Sequence, residues 1–109
     1  MQPKGIYIAG PMSGQAELNF PAFMEAEEIL AAKYPDAKIF NPARIDLERW
    51  GDLETVMANA NYRNCLPTDL AWIIENASHI VLLPGWEYSR GVRVEKALAD
   101  ALDIPVLCL

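Results

Sequence analysis

At 109 residues the chain is the size of one domain, too short for separate substrate and cofactor domains, so any ligand must share a single pocket. Hydrophobic residues make up 52% and charged residues 22%, a globular balance that argues against disorder. The formal net charge is -6 and the nine basic residues are scattered, which argues against a nucleic-acid polymer as partner but leaves a monomeric nucleotide open.

Met1-Gln2-Pro3-Lys4 leads directly into an apolar run, with no signal-like segment and no stretch of membrane-spanning length. A soluble cytoplasmic protein without membrane partners is expected. Gly5 to Ala9 reads as a first strand, closed by the loop Gly10-Pro11-Met12-Ser13-Gly14. Its small residues would let backbone N–H groups approach an oxyanion, although the spacing matches neither the dinucleotide fingerprint nor the Walker loop. Asn19-Phe20-Pro21 opens a helix that carries Phe23, Ala26, Ile29, Leu30 and Lys33 at helical spacing. Glu25, Glu27 and Glu28 fall largely on its opposite face and read as a solvated surface rather than a metal site.

Ala37 to Phe40 reads as a second strand ended by Asn41-Pro42. Asn41 has two readings: a pocket residue on the same rim as Gly10 and Ser13, or an Asx turn capping the next segment. Ile45 to Met57 is irregular, broken at Trp50-Gly51-Asp52, with a short helix from Leu53 onward; Trp50 is read as an aromatic cover for the core more readily than as a stacking platform. A further helix is expected over 61–76, with Pro67 interrupting it, Thr68 capping the restart and Asp69 in the restarted first turn. There Asp69 is either a helix-start acid or a second active-site carboxylate.

His79 to Leu83 is a third strand, and His79, the only histidine, reads as structural. The glycine-bounded loop after it leads to a helix carrying Glu95, Leu98, Ala99 and Leu102. A helix beginning at the carboxyl end of a strand aims free N–H groups at an anion, which makes Ser89 and Gly91 candidate phosphate or carboxylate contacts. Glu95, one turn inside, leans back toward that loop as a candidate nucleophile or base; the alternative is a solvent-facing acid favouring the helix dipole. Val106 to Leu109 reads as a last strand, and Cys65 and Cys108 as reduced thiols outside any metal spacing. The alternation implies an α/β single domain: a Rossmann- or flavodoxin-like parallel sheet of about four to five short strands with helices on both faces. The loops after Ala9, Phe40 and Leu83 would share one rim.

Tyr7-Ile8-Ala9-Gly10-Pro11-Met12-Ser13-Gly14, Asn41-Pro42, Asp69, and Leu83-Pro84-Gly85-Trp86 with Ser89, Gly91 and Glu95 together resemble the nucleoside 2-deoxyribosyltransferase-like superfamily over nearly the whole chain. Within it the chain looks most like small, often phage-encoded proteins of undefined function related to the deoxynucleoside 5'-monophosphate N-hydrolases. The resemblance implies attack of Glu95 on the anomeric carbon, with Asp69 holding the sugar and protonating the leaving base and Tyr7 orienting the nucleophile. It also implies 5'-phosphate binding by Gly10, Met12, Ser13, Gly14, Ser89 and Gly91 with Arg90, in a homodimer or higher homo-oligomer, with no metal or cofactor. The segment between the second strand and the third helix differs from the family pattern, so the base pocket does not transfer. An end just after a strand, at Leu109, favours hydrolysis over base exchange. The alternatives are a non-catalytic binder of a nucleotide or nucleotide-derived signal, and a transferase that exchanges bases.

Overall fold

The computed structural model describes residues 2–109. Its centre is a parallel sheet of three strands, β1 (Gly5–Ala9), β2 (Lys38–Phe40) and β3 (His79–Leu82), in the order β2-β1-β3. Every residue of β1 is buried, as a central parallel strand covered on both faces requires. Alternation along it divides the core. Ile6 and Ile8 pack with Val81, Phe23, Ala26, Leu30 and Val56 on one face; Tyr7 and Ala9 pack with Ile73, Ile80, Val92 and Ala99 on the other.

Among the described residues five α-helices cover these faces: α1 (Phe20–Lys33), α2 (Pro42–Trp50), α3 (Leu53–Asn59), α4 (Tyr62–Asn76) and α5 (Arg90–Ala101). α1 buries Phe20, Phe23, Ala26 and Leu30 at helical spacing, while Ile29, expected inside, is 42% exposed. None of the helices among the described residues is long and apolar enough to cross a membrane.

The expected four to five strands are corrected to three. Val106 forms only an isolated parallel bridge to Ile80, held by Ile80 N–H to Pro105 O (3.0 Å) and Leu107 N–H to Ile80 O (2.8 Å). Pro105 has no N–H with which to extend that ladder backwards. The segment after Asn41-Pro42, read as irregular, is the helix α2: the Asn41 side chain accepts from the N–H groups of Ala43 and Arg44, and Pro42 supplies a preset first-turn φ. α4 runs unbroken through Pro67, so Thr68 caps nothing and Asp69 lies mid-helix rather than in a first turn. Arg49 Nη1 donates to Asn64 O (2.6 Å) just ahead of that proline, tying α2 to α4.

Candidate functional site

The chain passes from β1 to β2 on one side and then returns to β3 on the other, so the connections diverge at the carboxyl end of β1. Open α/β sheets bind ligands at such a switch point. A cavity of about 460 Å³ lies there, the size of small-molecule sites.

Three helices and one strand supply its chemistry. Tyr7 points from β1 toward the face covered by α4 and α5, its ring stacked on Phe40 at 5.3 Å with Trp72 behind. Tyr62, Cys65, Leu66 and Asp69 follow the i, i+3, i+4, i+7 spacing of one face of α4, and all line the cavity. On α5, Gly91, Val92 and Glu95 do the same, with Ser89 as N-cap accepting from Val92 N–H at 3.3 Å. Gly91 is required by close approach, since a Cβ there would stand 2.9 Å from Tyr62 Cε1. Gly10 likewise passes against Leu83, 2.8 Å from where its Cβ would be.

Glu95 is 6% exposed, which removes the reading of it as a solvent-facing acid. Tyr7 Oη donates to Glu95 Oε2 at 2.5 Å. Burial raises the Glu95 carboxyl to about 8, the Tyr7 hydrogen bond opposing and the Asp69 charge adding to the rise. Asp69 is raised to about 7, by burial and then by the charge of Asp46, against the Tyr7 hydroxyl and Arg49. The Tyr7 phenol is pushed well above its ordinary range by burial and by the two carboxylates. Glu95, buried, and Asp69, half-buried, are therefore two acids lining one cavity, of which Glu95 holds the Tyr7 hydroxyl, and the Asp69 charge acting on Glu95 couples their titrations.

Of the residues singled out from sequence, Tyr7, Asp69, Glu95, Gly10, Met12, Ser13, Gly14, Ser89 and Gly91 line the one cavity. Asn41 and Arg90 do not. Asn41 is 2% exposed and faces the α1–α2 junction, where its Nδ2 donates to Glu27 Oε1 (2.9 Å) and Phe23 O (3.3 Å) while its Oδ1 caps α2. Arg90 is exposed and its guanidinium lies over the Tyr62 ring, 5.6 Å from the centroid. His79 is half-buried at the start of β3, its Nδ1 2.9 Å from Ser78 Oγ. Trp50 is half-buried and packs against the core beneath the Arg49 guanidinium, 4.5 Å from the ring centroid.

Two cavity features escaped the sequence. Asp46 is 7% exposed, lines the cavity and is raised to about 6 by burial against the pull of Arg49. Asn-Pro read as N-cap and first helical residue would have disclosed it, since Asp46 lies one turn on from Pro42 along the same helix face. Leu18 also lines the cavity, set there by a left-handed turn over Glu17, Leu18 and Asn19 (φ 52, 52 and 61) that no residue type announces. Cys65, raised to about 11 chiefly by burial, is a protonated thiol rather than a nucleophile. Among the described residues no group of three or more His, Cys, Asp or Glu side chains is arranged to hold a metal ion.

Fold and cavity together define a small α/β protein with a carboxylate-lined pocket at the switch point of a parallel sheet. The chain belongs to the family described as "Domain of unknown function (DUF4406)", which matches residues 4–108. No curated protein and no solved structure matches it.

Proposed function

We propose that the protein is an N-glycosidase that releases the base from a deoxynucleoside 5'-monophosphate, with Glu95 as nucleophile. The observation that carries this reading is the Tyr7 hydroxyl hydrogen-bonded to Glu95 in a cavity that Asp69 also lines. The resemblance to the deoxyribosyltransferase-like superfamily assigns these same residues their roles, and the order β2-β1-β3 agrees with the start of a flavodoxin-like sheet.

In the first step a Glu95 oxygen bonds to the anomeric carbon as the bond to the base nitrogen breaks, and Asp69 gives its proton to the departing base. In the second step Asp69 takes a proton from water, whose oxygen attacks the anomeric carbon and frees Glu95. The coupled acids suit this sequence. Near neutral pH the pair can hold a single proton; in the empty cavity the values of about 8 and about 7 leave it on Glu95, and the mechanism requires bound substrate to shift it to Asp69, with the Tyr7 O–H already opposing the rise of Glu95. The 5'-phosphate is assigned to the first turn of α5 beside Ser89 and Gly91 and to the Gly10–Gly14 loop, where backbone N–H groups rather than a cationic side chain meet it.

A homodimer belongs to the same proposal: Tyr88, next to Ser89, is 86% exposed, and a second copy seated there would cover the open mouth. The alternative, a non-catalytic nucleotide binder, is favoured by one observation, the rise of Glu95 to about 8, which disfavours its anion in the empty cavity. Incubation with each of the four deoxynucleoside 5'-monophosphates, with free base followed by chromatography, separates the two. The hydrolase reading expects base release that falls by about 10³-fold or more in Glu95→Ala. Nucleotide binding without release, unchanged in Glu95→Ala, selects the binder.

A further inference from the structure

The proposed mechanism uses Tyr7, Asp69 and Glu95 and leaves Asp46 without a task. Asp46 is 7% exposed as a residue, yet among the described residues the one side-chain partner of its carboxylate is Cys65 Sγ at 4.0 Å, a weak thiol donor at the limit of reach. Buried carboxylates are ordinarily paired or well hydrogen-bonded. Among the described residues no polar side-chain atom is both sealed from solvent and without a partner. The unpartnered oxygen of Asp46 therefore opens outward, the open space it borders is the cavity, and Oδ1 beside the Cys65 thiol keeps a second lone pair for a neighbouring donor.

We propose that Asp46 is the base-recognition residue of this site and that it selects guanine by accepting the N1–H and the 2-amino N–H of its Watson–Crick edge. The inference rests on the N-glycosidase reading for where the base lies. Cys65, whose thiol lies 4.0 Å from Asp46, stands one turn before Asp69 on the same cavity-lining face of α4, so Asp46 borders the Asp69 end of the cavity, where the base leaves, rather than the phosphate end. Val56, Met57, Tyr62 and Leu66 line the same cavity and supply apolar walls for a flat ring. Burial raises Asp46 to about 6 against the pull of Arg49, so near neutral pH it is mainly ionised, and an ionised carboxylate only accepts. Guanine is the one common base with two adjacent donors on that edge. Adenine and cytosine offer a donor beside an acceptor, and thymine a donor between two acceptors, so each would set an acceptor against an acceptor.

The test compares kcat/KM for base release and, by calorimetry, Kd for dGMP, dIMP and dAMP with wild type and Asp46→Asn. dIMP lacks only the 2-amino group and probes the pairing without altering the protein. We expect dGMP to exceed dAMP by about 100-fold and dIMP to fall about 10-fold below dGMP. Asp46→Asn, which turns one acceptor into a donor, is expected to erase the dGMP advantage, read as the dGMP/dAMP ratio in kcat/KM and in Kd. A preference for dAMP or a pyrimidine nucleotide, or a dGMP/dAMP ratio that Asp46→Asn leaves unchanged, overturns the assignment while leaving the hydrolase intact. Tight dGMP binding that Asp46→Asn weakens, without base release from any nucleotide, upholds it and removes the hydrolase. Neither binding nor release overturns both.

Discussion

Tyr7 reaches Glu95 because alternation along β1 turns odd-numbered residues toward α4 and α5, and the stack on Phe40, with Trp72 tilted behind, fixes its ring. A hydrogen bond to an ionised group contributes about 1.5–3 kcal/mol, so Tyr7→Phe is expected to lower kcat by about 10- to 100-fold with little change in KM. Because that bond lowers the Glu95 carboxyl, its removal moves the acid limb of the pH–rate profile to higher pH. A profile unmoved by Tyr7→Phe would contradict the orienting role. Much of the site is legible residue by residue. A glutamate one turn inside a helix leans toward the loop before it, which makes Glu95 legible as either a pocket carboxylate or a solvent-facing acid, and its burial decides for the pocket. Asn41 is legible as one of two roles, and only packing against α1 decides for the cap.

Among the elements, α2 matters most, since it carries Asp46 and Arg49 and starts at the Asn41 cap. Asn41→Ala removes the cap and leaves Glu27 and the Phe23 carbonyl without that donor. It is expected to cost about 1–2 kcal/mol, read as a lower Tm, with the affinity of the remaining folded protein for nucleotide nearly unchanged. A large loss of affinity at full stability would return Asn41 to the pocket. α2 and the unbroken α4 are the elements least legible in sequence, for opposite reasons. α2 is short and polar on its exposed side, so its periodicity is faint, whereas in α4 the rule that proline ends helices is overridden by tertiary packing. The third strand, by contrast, is legible as an apolar run, while nothing in the composition of the last shows that it shrinks to a bridge.

For the molecule as a whole, two buried acids, Asp46 and Glu95, and the half-buried Asp69, raised to about 6, 8 and 7, make stability depend on pH. Each carboxyl binds its proton more tightly in the folded than in the unfolded chain, where it titrates near 4. Its stabilising effect is therefore complete below that pH and is lost as pH rises through the folded values. Tm, so far as these groups set it, is expected to fall between about pH 5 and pH 8. Glu95→Gln, which carries no charge at either end, should make the fall shallower and raise Tm at pH 8. An equal slope in wild type and Glu95→Gln would show that Glu95 is not a buried acid of this kind.

If Glu95 attacks a sugar carbon from within the cavity, the anomeric configuration of the product records that attack. The decisive experiment is cleavage of a deoxynucleoside 5'-monophosphate in water containing methanol, with the methyl glycoside product assigned by NMR. Two displacements through Glu95 lead to free base together with a glycoside of retained configuration, both lost in Glu95→Gln. Inverted product, or base release that persists in Glu95→Gln, would rule out Glu95 as the nucleophile.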